Sequence, residues 1–220
     1  SIDRLVAATS NCDSDDSIEK LCESHGIECF RGSLDDVLDR FYKAAIVYRP
    51  LHVVRLTGDC PVIDPAIVDC VVRSHLNHAN DYTSNCLEPK FPDGLDVEVF
   101  RFDCLEDAWR LAKLPSEREH VTPFIRNVSN GYKLENIEPV TNLGHFRWTV
   151  DEPEDFRFIK AVYEALYPVN PKFSMSDILD YLEENPNVCE LNSHLVRNTG
   201  FQKSLLADKE QDIGGVTDNE

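Results

Sequence analysis

The sequence predicts an α/β fold built on an open, mostly parallel sheet with helices on both faces. Short apolar runs alternate with amphipathic helical stretches, turn and cap residues separate them, and acidic side chains directly follow two of the apolar runs. With 220 residues, 42 % of them apolar, the chain has ample material for a buried core.

The elements follow in order. Residues 4–9 are strand-like, and 11–16 supply turn and cap residues ahead of a helix that sets Ile18, Leu21 and Cys22 at helical spacing. His25-Gly26 closes that helix, 27–30 is a short strand, and Ser33 is expected to cap a helix whose apolar face is Leu34, Val37, Leu38, Phe41, Ala44 and Ala45. A buried strand over 52–57 ends in Gly58-Asp59-Cys60-Pro61, after which Asp64-Pro65 starts a helix with Ile67, Val68, Val71 and Val72 on one side. The middle departs from this rhythm: 81–85 and 95–102 read as strands flanking the turn Phe91-Pro92-Asp93-Gly94, which predicts a β-rich insertion. Helices over 104–113 and 118–127 precede strands over 132–139 and 146–150, the second ending at Asp151. The helix from Glu152, with Pro153 in its first turn, carries a buried stripe of Phe156, Ile159, Val162, Tyr163 and Leu166. A last helix over 176–184 stops before Pro186, and 187–200 is irregular. One domain over 1–205 and an acidic, disordered tail over 206–220 are the expected organisation.

Forty acidic against 22 basic residues give a formal charge of -18, which repels nucleic acid and anionic membrane surfaces. The eight cysteines form no CxxC pair and lie largely within apolar runs, so reduced, mostly core thiols are expected rather than disulfides or zinc ligands. With no signal peptide and no apolar run near the ~20 residues a membrane helix needs, the expected compartment is the cytoplasm.

Asp59 and Asp151 each directly follow a predicted strand, and a parallel sheet brings such ends to one rim, where ligands of open α/β sheets bind. Two carboxylates there suit magnesium, which takes one or two acidic side chains and completes its shell with water and phosphate. Spacing alone leaves a second reading open, in which both are helix caps: Asp59 precedes a Pro-containing segment and Asp151 precedes Glu152-Pro153.

Five strings come in a telling order: Phe30-Arg31-Gly32-Ser33, Leu56-Thr57-Gly58-Asp59-Cys60-Pro61, Phe91-Pro92-Asp93-Gly94-Leu95-Asp96-Val97-Glu98, Arg118-Glu119-His120-Val121-Thr122-Pro123, and Arg147-Trp148-Thr149-Val150-Asp151-Glu152-Pro153-Glu154-Asp155. In them the chain resembles the cytidylyltransferases of the spore-coat-polysaccharide type over about residues 2–204, a family similar to CMP-sialic acid and CMP-Kdo synthetases. The resemblance implies a GT-A-like, Rossmann-like nucleotide-diphospho-sugar transferase fold. It also implies a cytoplasmic enzyme that transfers CMP from CTP to a sugar acid, with Mg2+ on Asp59 and Asp151, for polysaccharide biosynthesis. It further implies that Gly32, Ser33 and Gly58 lie by the nucleotide, where backbone N–H groups at a helix start would favour an anion. Asp93, Gly94, Asp96 and Glu98 would line the sugar, with Asp96 and Glu98 on one strand face as hydroxyl acceptors. Arg118 and His120 would receive the sugar's carboxylate. Arg147 and Trp148 lie beside Asp151, Trp148 mainly for packing. Dimerisation through the β-rich insertion is suggested by the related synthetases.

Family members open with a strand and a loop resembling Ala-Arg-x-Gly-Ser-x-Arg-Leu-Pro-Gly-Lys that wraps the triphosphate. Nothing like it precedes Ser1, which opens straight into a strand-like run, so the sequence is expected to lack that segment. Two other readings follow: a GT-A glycosyltransferase, whose Asp-x-Asp motif would be Asp13-Ser14-Asp15, and a catalytically incomplete remnant that binds or oligomerises.

Overall fold

The computed structural model describes residues 2–214. Six strands lie among them: β1 (Val6–Ser10), β2 (Glu28–Gly32), β3 (His52–Arg55), β4 (Tyr82–Ser84), β5 (Glu98–Arg101) and β6 (Leu134–Asn136). The helices are α1 (Asp16–Ser24), α2 (Val37–Ile46), α3 (Pro65–His78), α4 (Phe102–Leu111), α5 (Pro115–His120), α6 (Pro123–Arg126), α7 (Pro153–Leu166), α8 (Met175–Glu184), α9 (Pro186–Cys189) and α10 (Thr199–Gly214). None of the helices among the described residues is long and apolar enough to cross a membrane.

The chain forms two compact units, leaving the first within β3 and re-entering it within β5. Among the described residues the first comprises 2–53, 100–133 and 198–214; the second comprises Val54–Val99 and Leu134–Arg197. The acidic tail expected from residue 206 falls partly on α10, which continues to Gly214. Asp208 is buried there and accepts a hydrogen bond from the Ser116 amide at 2.9 Å. Residues 215–220 of that expected tail lie outside the described residues.

In the first unit β1 and β2 pair in parallel, from Val6 opposite Glu28 to Ser10 opposite Gly32, with α1 as the crossover. Parallel neighbours require such a crossover. The cap of α2 is not Ser33. Asp36 occupies the N-cap and accepts from the Asp39 amide at 2.9 Å, while the Ser33 hydroxyl accepts from the Asp36 amide at 3.0 Å, one turn too early to cap the helix. From α2, Leu38 and Tyr42 are buried, and the Tyr42 ring stacks on Trp109 of α4 at 4.2 Å. The helix expected over 118–127 is broken into α5 and α6 by Val121, which is fully buried at φ +71°. A β-branched residue in that region costs about 1–3 kcal/mol, held here by its burial.

The second unit holds most of a four-stranded sheet in the order β3-β5-β4-β6, with β4 and β6 parallel from Tyr82 opposite Leu134 to Ser84 opposite Asn136. The segment expected as a β-rich insertion thus supplies two adjacent strands, β4 and β5, of this sheet. The core of this unit gathers Val71 of α3, Leu95, Val97 and Val99, Trp148, Phe158 and Val162 of α7, and Ile178 of α8. Of the stripe read from the sequence, Ile159 and Val162 are buried and Tyr163 and Leu166 pack against the core, while Phe156 lies off it. Phe158 packs inside, worth roughly 1.5–3 kcal/mol, whereas Phe156 is 60 % exposed.

The strand expected over 146–150 is an extended segment with a single parallel bridge, Arg147 to Asp93. Its pairing is close: the Trp148 amide donates to the Asp93 carbonyl at 2.6 Å, and the Asp93 amide to the Phe146 carbonyl at 3.0 Å. Gly94 makes the approach possible. It sits at φ +103°, and a Cβ there would lie 2.6 Å from the Thr149 nitrogen and the Trp148 carbonyl carbon, both backbone atoms that cannot rotate away. Gly94→Ala should therefore destabilise this unit by about 3 kcal/mol or more, read as a lowered urea midpoint at unchanged slope.

Candidate active site

The residues proposed from sequence divide between the units. Gly32, Ser33, Arg118 and His120 belong to the first; Gly58, Asp59, Asp93, Gly94, Asp96, Glu98 and Asp151 belong to the second.

In the second unit, the turn after β3 docks on the segment before α7. Val150 donates its amide to the Asp59 carbonyl at 2.8 Å, and the Thr149 hydroxyl donates to Asp59 Oδ2 at 2.9 Å. Asp59 is half-buried, Gly58 beside it is exposed, and a Cβ on Gly58 would meet nothing within 4 Å. Asp151, the residue after Val150, is about half exposed and accepts from Arg147 Nη2 at 2.7 Å through Oδ2. The two carboxylates that the sequence placed at strand ends are thus carried by directly hydrogen-bonded segments, each with its Oδ2 taken by a protein donor.

Arg147 is the hub of this rim. Its Nε and Nη2 form a fork on Asp155 at 2.9 and 2.8 Å, Nη2 also reaches Asp151, and Nη1 reaches Asp93 Oδ2 at 3.2 Å. Burial opposes its charge, yet the bonds to Asp155 and Asp151 prevail and keep the guanidinium protonated above its ordinary range. Asp155 has no exposed surface. Burial pushes its carboxyl up, but donors from Arg147, Asn192 and the amides of Asp151 and Glu152 outweigh that and hold it below its ordinary value.

A second arginine completes the network. Arg197 spans both oxygens of Asp96 from Nη2 at 2.6 and 2.9 Å, pairs with Asp93 through Nε at 3.3 Å, and donates to the Phe91 carbonyl. Burial lifts Asp93 to about 6, a rise that Arg197 and Arg147 only moderate, and burial likewise raises Asp96 against the pull of Arg197. Glu98 is almost wholly buried: one oxygen accepts from the Tyr82 hydroxyl at 2.7 Å and the other pairs with Arg55. The expectation that Glu98 joins Asp96 in receiving sugar hydroxyls is thereby corrected. Its acceptors are used inside the sheet.

Two further candidates lie in the first unit. Arg118 is spent on Asp36 and on the Trp109 carbonyl, the latter at 2.8 Å. His120 meets the Ser204 hydroxyl at 3.0 Å and the edge of Phe201, both from α10. Each is paired within its own unit and keeps about a quarter of its side chain exposed. Gly32 lies against Arg40, whose Nη1 donates to the Ser33 carbonyl at 2.6 Å. At the start of α2 the Asp39 N–H is taken by the Asp36 carboxylate. Asp13-Ser14-Asp15 forms a 3-10 turn in which Asp15 accepts from the Thr9 hydroxyl at 2.6 Å and the Ser10 amide at 2.9 Å, a local structural role rather than a coordinating pair.

All eight cysteines are free thiols; Cys22, Cys60 and Cys104 are buried, Cys70 is exposed and the others are intermediate. Burial first, then Asp59, pushes the Cys60 thiol up to about 12, so it stays protonated beside the rim. Among the described residues no three His, Cys, Asp or Glu side chains converge as a metal cage. What the rim offers is sparser, a pair of hard carboxylates that each retain one oxygen clear of a strong donor. Donors of this type would suit magnesium, which binds through few acidic side chains.

The comparisons agree with this architecture. A cytidylyltransferase family model matches residues 1–199. The spore coat polysaccharide biosynthesis protein SpsF of Bacillus subtilis is 36 % identical over 188 residues, covering 84 % of this chain and 77 % of that protein. A cytidylyltransferase structure from Leptospira borgpetersenii superposes with a TM-score of 0.80 at 30 % identity, over 87 % of this chain and 79 % of that one. A CMP:2-keto-3-deoxy-manno-octonic acid synthetase complexed with CTP gives a TM-score of 0.55 at 14 % identity, over 74 % and 81 % of the two chains, a likeness in fold.

Asp155→Asn should cost about 3 kcal/mol at pH 7, since it weakens the buried partner of Arg147. Because the folded carboxyl titrates below its ordinary value of 3.8, its contribution is present above that pH and lost as the pH falls below it. The gap between the two proteins in urea unfolding should accordingly narrow between pH 4 and pH 2.

Proposed function

We propose, from the premise that this chain belongs to the cytidylyltransferase family, that it serves the transfer of CMP from CTP to a sugar acid, with release of pyrophosphate. The observation that carries the reading is the pairing of Asp59 and Asp151 on hydrogen-bonded segments at the end of β3 and the start of α7, each carboxylate partly exposed.

In the reaction, a hydroxyl oxygen of the sugar acid attacks the α-phosphorus in line. The new P–O bond forms as the bond to the bridging oxygen breaks, and that oxygen leaves with its electron pair on pyrophosphate, while the hydroxyl proton passes to solvent. Asp59 and Asp151 would hold magnesium, which when bound supplies neutralisation of the phosphate oxygens. A formal charge of -18 gives a further reason for a cation at the triphosphate, whose charge has the same sign. Thr149 keeps the Asp59 carboxylate turned to the rim. We assign the sugar to the side of Asp151 where 93–96 runs against 147–149, an assignment supported by the resemblance of the Phe91–Glu98 string to the family.

A sugar acid is supported by family membership, by the polysaccharide role in the name of SpsF, and by a fold shared with a synthetase acting on a keto sugar acid. The same reading assigns the product to surface polysaccharide biosynthesis.

Incubation with CTP, Mg2+ and a panel of sugar acids should release pyrophosphate, and chelation by EDTA should stop it. Asp59→Asn and Asp151→Asn should each slow release roughly a hundredfold or more while the far-UV circular dichroism stays unchanged. Unaltered rates in both variants would remove the metal role, and transfer from sugar-nucleotides in place of pyrophosphate release would replace the reading with glycosyl transfer.

A further inference from the structure

We infer that Arg147, anchored by Asp155, is a positioning residue that fixes the orientation of the Asp151 carboxylate for cation binding; this rests on the metal reading above. Asp151 is an aspartate with half its side chain exposed, and such a group samples several rotamers in water. Here two devices remove that freedom. Its side chain is held through Oδ2 by Arg147 Nη2 at 2.7 Å, and its amide is held by Asp155 Oδ2 at 3.1 Å. The same buried carboxylate therefore secures both the main chain of Asp151 and the guanidinium that grips its side chain.

The anchor is rigid. Asp155 lies at the third position of α7, where it also accepts from the Glu152 amide at 3.0 Å, and Asn192 closes its remaining side at 2.8 Å while donating to the Arg147 carbonyl at 2.9 Å. Arg147 is 8 % exposed, so its fork cannot swing into solvent. Only arginine meets the geometry: Nε and Nη2 engage Asp155 in parallel, and Nη2 still has a second hydrogen for Asp151. Asp151 spends Oδ2 on this contact and keeps Oδ1 for a ligand.

Two effects of Arg147 on a bound cation oppose one another. Its charge repels the ion, but its neighbours Asp93, Asp151 and Asp155 outnumber it, while loss of a partner that orients a ligand typically weakens metal binding by about 10–100-fold. Orientation prevails. Arg147→Lys separates the two, because it keeps the charge and loses the fork.

The test is Mn2+ binding to the whole chain, followed by electron paramagnetic resonance of the free ion, for the unchanged protein, Asp151→Asn, Arg147→Lys and Arg197→Lys. Thermal melts verify folding. The expectation is that Asp151→Asn abolishes the site, Arg147→Lys weakens it about tenfold or more, and Arg197→Lys, which disturbs Asp93 and Asp96 without touching Asp151, leaves it intact. If Arg147→Lys proves unstable, Asp155→Asn, which loosens the anchor and keeps the guanidinium, should weaken Mn2+ binding in the same direction. Mn2+ affinity lost in Asp151→Asn but unaltered in the folded Arg147→Lys or Asp155→Asn protein overturns the positioning role alone. Equal loss in Arg197→Lys also overturns it, in favour of a general structural effect. Failure of the unchanged protein to bind Mn2+, or equal binding by Asp151→Asn, overturns the metal reading and this inference together.

Discussion

A buried guanidinium shared among three carboxylates is the constraint on which the second unit turns. Removing Arg147 from water is costly, and its attraction to Asp155 offsets that cost because the fork is satisfied in both oxygens and further donors complete the acid. Asp93 and Asp151 add to this balance from opposite directions along the chain, so the pair draws together the turn after Phe91, the approach to α7 and the segment around Asn192. The rim is thus held by ionic contacts laid over an apolar core of Trp148, Phe158 and Val162.

The parts of this arrangement that obey local rules were legible in the sequence. Pro153 at the first turn, the acidic residues around it and the helical spacing of Ile159 and Val162 announce α7, and Asp64-Pro65 announces α3 just as plainly. The sequence put Asp59 and Asp151 at strand ends; β3 stops at Arg55 and 146–150 is an extended segment with one bridge, so what joins the two stretches is the backbone hydrogen bond from Val150 to Asp59. Asp155 could have been found too: it stands three residues after the cap Glu152, the spacing at which an acid reaches back to the cap amide.

Long-range charge pairing was not legible. Arg197 comes from a stretch without periodicity and meets Asp96, 101 residues earlier, so no spacing announces it. Strand alternation correctly groups Asp96 with Glu98 but carries no sign that Arg55 and Tyr82 neutralise Glu98. Arg118 and His120 were drawn toward a substrate by their chemistry alone, and the groups that use them, Asp36 and Ser204, lie 82 and 84 residues away. In a chain so rich in acids, an arginine is more often claimed by the protein than left for a ligand.

The double use of Asp155, as reciprocal cap of α7 and as counter-ion to Arg147, ties the ruler of the rim to the pitch of a helix. Asp151 stands four positions after Arg147 and Asp155 four positions after Asp151, so one buried carboxylate reaches both the Asp151 amide and the guanidinium. An insertion or deletion within 147–155 would uncouple the main chain of Asp151 from the guanidinium that holds its side chain.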